Sequence, residues 1–304
     1  MLSVIIVDYN SIEATLKYIE HLNQKIICEK IHFIIVDNGN NFDKIECLSE
    51  QYKRLMRYNN STIYEFTISS IPVVYIDSGS NLGYARGNNL GVSVSNTLFK
   101  DPYILISNND IILQEITDFR DISYVFDSDR NIAVIGPKVI GLHGERQSPH
   151  KKISWFKALF LYYWGLVLGH NFQIGRDTLN SNKNEYVYRV MGSFMFVRKA
   201  AFLDVGMFDE STFMFFEESI LSEKLEKKGY KTFYYNDMEI IHNHGSTVKK
   251  NSTIETSMKW AFDSCCYYYK NYRLVNPLII NLAKRNFDLY LLLYRIKRRI
   301  RNED

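Results

Sequence analysis

The residues best suited to chemistry stand where apolar runs break off. In YILISNND (103–110), four of the first five residues are apolar, and Asn108, Asn109 and Asp110 then interrupt before Ile111 resumes the run. Similar polar tips follow SVIIVDY (3–9), with Asp8 and Asn10; HFIIVDNGN (32–40), with Asp37 and Asn38; and PVVYIDSG (72–79), with Asp77. Carboxylate and amide oxygens of this kind suit a hard cation, Mg²⁺ or Mn²⁺, that bridges protein to a diphosphate whose oxygens complete the shell. The plainer reading is that Asp and Asn start turns and cap helices. It serves for any single tip and less well for four on one sheet edge.

Two more constellations lie in the second half. FFEESILSEKLEKKGY (215–230) reads as a helix, with Leu221 and Leu225 one turn apart and Gly229 at the position after the last helical turn. Glu217 and Glu218 then occupy its first turn, where the helix dipole alone favours acids by roughly 0.3–1 kcal/mol each. IIHNHGST (240–247) places His242 and His244 two apart, so on an extended segment both point the same way. Structural histidines would account for either alone.

The elements that must position these groups alternate in the first half. Strands are expected at 3–9, 32–40, 72–79, from 103, and at 131–139. Helices are expected after Asn10 and through roughly 42–58, and 81–99 reads as a Gly-rich loop entering a helix. Asn10 with Glu13 resembles a capping box. Apolar strands alternating with helices imply a mostly parallel, Rossmann-like α/β sheet covered on both faces, with ligands bound beyond the carboxyl ends of the strands.

The bulk composition narrows the class. The chain has 304 residues, 46% hydrophobic, and a net charge of +3, so nothing global points to nucleic acid. Four cysteines lie in no metal-ligand spacing, and MLSVIIVDYN begins with a strand rather than a secretory signal, so a reducing cytoplasm is expected. No apolar stretch reaches the ~18 residues of a spanning helix.

Taken in order, SVIIVDYN, IIVDNGN, NLGYARGNNLG and LISNND resemble family 2 glycosyltransferases, in particular bacterial rhamnosyltransferases of capsule and O-antigen synthesis. The stretch from Val190 to Thr247 adds five more elements in that family's order: GSFMFVR, GMFDE, FFEE, KKGY and HNH. The resemblance implies a glycosyltransferase A-type fold, a nucleoside-diphosphate sugar donor, a divalent metal and inversion at the anomeric carbon. It assigns Asp110 to the metal and diphosphate, with Asn108 where an acid is common; Asp8, Asn10 and Asn109 fall at the donor edge beside them. It places Asp37 at the nucleotide base and Arg86 and Asn88 at the donor. Glu218 becomes the base, with Glu217 orienting the acceptor. His244, or second His242, completes the metal shell, and Ser246 contacts phosphate. Many relatives carry a further acid where this chain has Ser219 and Ile220. dTDP-L-rhamnose is the favoured donor, with UDP-hexoses open, and the acceptor is a hydroxyl of a growing, lipid-linked bacterial surface polysaccharide.

The implied organisation is a catalytic domain over 1–250, with a donor half to about 139 and an acceptor half beyond, followed by a helical extension over 251–304. WFKALFLYYWGLVLG (155–169) is apolar enough for a buried helix, an acceptor wall or a membrane-facing patch. The tail from Lys284 to Asp304 carries seven basic residues against three acids around an apolar centre too short to span a bilayer. It suits a helix lying on anionic lipid at the inner face of the cell membrane, or one packed on the domain. A non-catalytic sugar-nucleotide or glycan-binding module on the same fold is the alternative. A nucleotidyltransferase or a nicotinamide enzyme is disfavoured, because VDYNSIEA after the first strand contains no glycine.

Overall fold

A computed structural model describes residues 1–49, 51–162, 164, 177–243 and 253–300. The first half runs β1 (Leu2–Asp8), α1 (Ile12–Lys25), β2 (Ile26–Ile27), β3 (Ile31–Asp37), α2 (Phe42–Leu48), β4 (Gln51–Tyr58), β5 (Ser61–Ile68), β6 (Ile71–Asp77) and α3 (Gly83–Leu98). It continues through β7 (Tyr103–Ser107), β8 (Ile111–Leu113), β9 (Thr117–Asp118), α4 (Phe119–Ser128) and β10 (Ile132–Gly141). A π-helix (Lys157–Leu161), β11 (Glu185–Val187), β12 (Phe194–Arg198), α5 (Lys199–Asp204), α6 (Glu217–Lys227), β13 (Lys231–His242), α7 (Ile254–Asn271) and α8 (Pro277–Ile300) complete it.

An eleven-stranded sheet carries the order β11-β13-β10-β12-β7-β1-β3-β6-β5-β4, with β8 added on β13; β2 and β9 pair separately. Its heart is the parallel set β7-β1-β3-β6, and antiparallel strands flank that set. Side chains alternate across a strand, so a continuous apolar run feeds both faces. Val4 and Ile6 of β1, Phe33 and Ile35 of β3 and Leu105 of β7 pack into one core with α1. Ile5, Ile34, Val36, Ile104 and Ile106 enter the opposite core with α3. Parallel pairing in register sets Asp8 beside Asp37 and Asp37 beside Asp77, so these tips share one sheet edge as expected.

Three local expectations need correction. The helix expected over 42–58 stops at Leu48, and the chain then forms the hairpin β4–β5. Asn59 sits in its turn at φ 53°, and Ser69 and Ser70, both at positive φ, make a second two-residue turn into β6. Asn-Asn and Ser-Ser flanking the alternating run STIYEFTI were the readable signal. The capping box at Asn10 does not form: Asn10 is left-handed at φ 57°, Ser11 is the N-cap, and the Asp8 carboxylate accepts from the Ser11 N–H. Several antiparallel strands also extend the parallel set, where pairing between sequence-distant segments decides.

The C-terminal helices pack on the domain. Phe262 of α7 stacks on Phe287 of α8 with centroids 4.0 Å apart, and Ala158, Leu159, Ile220, Tyr269 and Tyr290 fill the same core. Of the apolar stretch 155–169, Ala158 and Leu159 are buried while Trp155, Phe156, Leu161 and Tyr162 are exposed; 163 and 165–169 lie outside the described residues. No helix among the described residues is long and apolar enough to cross a membrane.

Candidate active site

The sheet edge is built on two buried aspartates. Asp37 takes N–H bonds from Gly39 and Asn41, the Asn41 amide and the Tyr75 hydroxyl, and is 1% exposed. Asp8, fully buried, accepts from Ser11, Thr15 and Asn41, with Asn109 Nδ2 at 3.4 Å. Burial pushes the Asp8 carboxyl above its ordinary value, against the hydrogen bonds of Thr15 and Ser11. Carboxylates so enclosed have few lone pairs left for a ligand. The direct donor contacts expected of Asp8 and Asp37 are therefore not what these side chains are placed for; they hold the tips in shape. Asn109 likewise turns inward, to Ser11 and Thr15.

The Gly-rich stretch opens α3 against the second half of the chain. Gly83 has φ +76°, and a Cβ there would lie 2.4 Å from the Phe213 carbonyl, which instead accepts from the Tyr84 N–H. Asn88 is buried, donates to the Tyr84 carbonyl and leaves Oδ1 without a hydrogen-bond partner among the described residues. That orphan oxygen fits a donor-site role. Arg86 is largely exposed and bonds the Glu210 carbonyl at 3.3 Å. Asn89, by contrast, bolts α3 to the backbone of Phe208 through both its amide atoms.

Asp110 meets His242, not through sequence proximity but because β8 pairs antiparallel with β13, Ile111 opposite His242. The Asn243 N–H bonds the Asp110 carbonyl at 3.0 Å, and Asp110 Oδ1 lies 3.4 Å from His242 Nε2. Gln147 Oε1 accepts from His242 Nδ1 at 2.8 Å, which aims Nε2 at the carboxylate. One carboxylate and one oriented imidazole could serve as two ligands of Mn²⁺ or Mg²⁺, with the remaining oxygens to come from a diphosphate and water. Among the described residues no group of three or more His, Cys, Asp or Glu side chains gathers as a self-sufficient metal cage. His244 and Ser246 lie outside the described residues. Gln147 gave no motif signal; only its contact with His242 identifies it.

The second acid cluster reaches the same edge through the turn that enters β12. The Asn108 N–H bonds the Ser193 carbonyl at 2.8 Å, and the adjacent Gly192 N–H donates to Glu218 Oε1 at 3.1 Å. A Cβ on Gly192 would lie 2.1 Å from that oxygen, so only glycine permits the approach. The Tyr84 hydroxyl caps the Gly192 carbonyl at 2.6 Å. The tip at 108–110 and the start of α6, more than a hundred residues apart in sequence, are thus separated by Gly192 and Ser193. Gly192 opens the GSFMFVR element and Tyr84 lies in NLGYARGNNLG, but only the fold shows that they meet beside Glu218.

The two glutamates differ sharply. Glu217 is 2% exposed, and its Oε1 has no hydrogen-bond partner among the described residues. Burial, then the charge of Glu218, pushes its carboxyl well above the ordinary value. Phe215 and Phe216, at φ 72° and 68°, introduce α6 through two left-handed aromatic residues. Such conformations cost on the order of 1–3 kcal/mol each and persist where packing over-determines them. Here Phe216 packs on Tyr268, and Ser264 of α7 donates to the Met214 carbonyl. A carboxyl whose folded value is raised stabilises the fold while protonated, and that stabilisation is lost as pH rises through the folded value. Glu217→Gln, isosteric with the protonated acid, should therefore flatten the loss of melting temperature between pH 5 and 8; parallel curves for the two proteins would contradict this.

A large mixed sheet flanked by helices in this way is shared with A-type glycosyltransferases. The crystal structure of GalNAc-T7 with UDP, GalNAc and Mn²⁺ superposes with a TM-score of 0.52 at 12% identity, over 80% of this chain and 44% of that one, less than half its length. No family model matches. Across sequences, the chain is 26% identical over 273 residues to the rhamnosyltransferase WbbL of Escherichia coli (strain K12), covering 85% of this chain and 97% of that protein. It is 25% identical over 244 residues to the low-salt glycan biosynthesis hexosyltransferase Agl10 of Haloferax volcanii, covering 80% and 67%. The chain is a glycosyltransferase, similar to these rhamnosyl- and hexosyltransferases of glycan assembly. The non-catalytic alternative falls with that finding.

Proposed function

We propose that the protein transfers a sugar, with inversion, from a nucleoside-diphosphate donor to a hydroxyl of a growing bacterial surface glycan. The observation that carries this reading is the chain Asp110–His242 on one side and Glu218 on the other, joined through Ser193 and Gly192. Residues to about 139 and beyond form donor and acceptor halves of one catalytic domain. Asp110 and His242 hold the diphosphate end, with Asn88 and Arg86 beside the donor. Glu218, the less buried of the two acids, takes the proton of the attacking hydroxyl. Asp110 and His242 would hold a divalent cation, which would supply positive charge against that developing on the departing diphosphate. The resemblance to rhamnosyltransferases favours dTDP-L-rhamnose over UDP-hexoses.

A lipid-linked acceptor agrees with a shorter similarity, 40% over 52 residues, to an N-acetylglucosaminyl-diphospho-decaprenol L-rhamnosyltransferase of Mycobacterium tuberculosis. The test is a panel of sugar nucleotides with Mg²⁺, Mn²⁺ or chelator, followed by thermal shift. One donor class should raise the melting temperature in a metal-dependent way; no shift with any donor contradicts the scheme.

The C-terminal helix supports work at a membrane surface. Leu278, Leu282, Leu289, Leu292 and Ile296 of α8 are exposed and fall within an arc of roughly 80° at 3.6 residues per turn. Lys297, Arg298 and Arg299 follow in the last turn. Such a stripe beside basic residues suits the interface of anionic lipid. In sedimentation with vesicles containing phosphatidylglycerol, the chain should bind, and Leu282→Glu with Leu289→Glu should weaken binding at least tenfold, since each fully buried leucine contributes about 1.5–3 kcal/mol. Equal sedimentation of both proteins would remove the membrane role.

A further inference from the structure

A second polar assembly, linked to Glu218 through the segment that ends at Gly192, has no part in the scheme above. The segment at His150 runs antiparallel to that at Arg189, its N–H bonding the Arg189 carbonyl at 2.9 Å, and also bridges Thr178. Two residues along, the Met191 N–H reaches Ser148 Oγ at 3.4 Å, and Gly192 then contacts Glu218. The segment 189–192, which brings Gly192 to Glu218, therefore has His150 paired beside its start.

The His150 ring is held from one side. Nδ1 lies 3.0 Å from Asp177 Oδ1, and Arg189 holds the other oxygen of Asp177 at 2.9 Å. A carboxylate on Nδ1 fixes the tautomer with its proton there, which makes Nε2 the accepting nitrogen. Among the described residues the ring bonds through Nδ1 and not Nε2, and the side chain is 11% exposed. Asp177, Arg189 and Glu218 are the charged groups that act on the imidazole; burial, then Arg189, holds it below its ordinary value, against Asp177 and Glu218. A neutral imidazole follows near pH 7. Asp177 is itself buried, so the assembly is a built one and not a surface ion pair.

We propose that His150 is an acceptor-site residue, whose Nε2 accepts a hydrogen bond from a hydroxyl of the incoming glycan beside the one that Glu218 deprotonates. This rests on the glycosyl-transfer reading and adds to it the chemistry of the acceptor subsite: a vicinal hydroxyl donor, read by an imidazole locked by Asp177 and Arg189. A site built to bind a hydroxyl discriminates strongly when the partner is lost, because a buried polar group is left unsatisfied.

The test measures incorporation of labelled sugar into membranes of the source cells, which hold the natural acceptor, alongside titration of the nucleoside diphosphate with Mn²⁺. His150→Gln should raise the KM for membranes about tenfold or more with donor KM and nucleoside-diphosphate affinity within twofold of wild type. Asp177→Ala, which leaves the imidazole in place but removes the acceptor of the Nδ1–H, should shift acceptor KM in the same direction and donor KM not at all. Wild-type acceptor KM in His150→Gln, or a parallel rise in donor KM, overturns the assignment. A merely structural role would lower the melting temperature and affect both substrates together. A wild-type chain that binds donor yet labels no membranes removes the acceptor scheme and His150 with it. Failure to bind any nucleoside diphosphate instead sinks the transfer reading.

Discussion

Glu218→Gln will lower sugar transfer by about two to four orders of magnitude while leaving nucleoside-diphosphate affinity within a fewfold of wild type. A sugar hydroxyl is a weak nucleophile at neutral pH, so its proton must leave as the new bond forms. Glutamine keeps the shape and can still accept from the Gly192 N–H, but it cannot take a proton. The neighbouring acid is not placed to substitute, because Glu217 is sealed from solvent and burial, then the charge of Glu218, pushes its carboxyl well above the ordinary value. Two carboxyls in unlike surroundings are a usual way to divide such roles. Product formation and donor titration measured together check the split: a variant retaining a tenth of wild-type transfer would move the base elsewhere.

Asp110→Asn carries the second large effect. An amide in place of the carboxylate removes the charge that faces His242 Nε2 and weakens the donor pair. The Mn²⁺ concentration that half-saturates nucleoside-diphosphate binding should rise at least tenfold, and transfer should fall by about a hundredfold or more, the scale seen when a charge-stabilising group is lost. Gln147→Leu, which releases His242 Nδ1, should raise the Mn²⁺ requirement about tenfold or more without touching the carboxylate. Unchanged Mn²⁺ titrations in both variants would show that the cation, if used, binds elsewhere.

Much of the frame was legible because local rules and the fold agree. Unbroken apolar runs with polar tips forecast the parallel strands, and their register at Asp8, Asp37 and Asp77 follows from the parallel pairing. Gly229 ends α6 in the left-handed conformation expected of it, at φ +83°. What sequence patterns could not convey was direction and distance. Asp8 and Asp37 read as ligand contacts, yet their lone pairs are spent on Ser11, Thr15, Asn41 and Tyr75. The acids of GMFDE read as part of a signature, yet Asp209 is tied to Tyr267 and Tyr272 of the C-terminal region and Glu210 to Asn89. The helix expected through 42–58 failed because Gln51–Tyr58 finds a cross-strand partner in Ser61–Ile68, and pairing outweighs local propensity. Gln147 and His150 carry no local signal, since each acquires meaning only from a residue tens of positions away.

The account's central claim is that Asp110 with His242 and Glu218 face one sugar nucleotide from two sides. Anomalous diffraction from crystals soaked with Mn²⁺ and a nucleoside-diphosphate sugar tests it directly. The prediction is one manganese peak at coordination distance, ~2.1 Å, from Asp110 and His242, with the sugar between the diphosphate and Glu218. A manganese peak away from both residues, or a sugar on the far side of the sheet from Glu218, would contradict it.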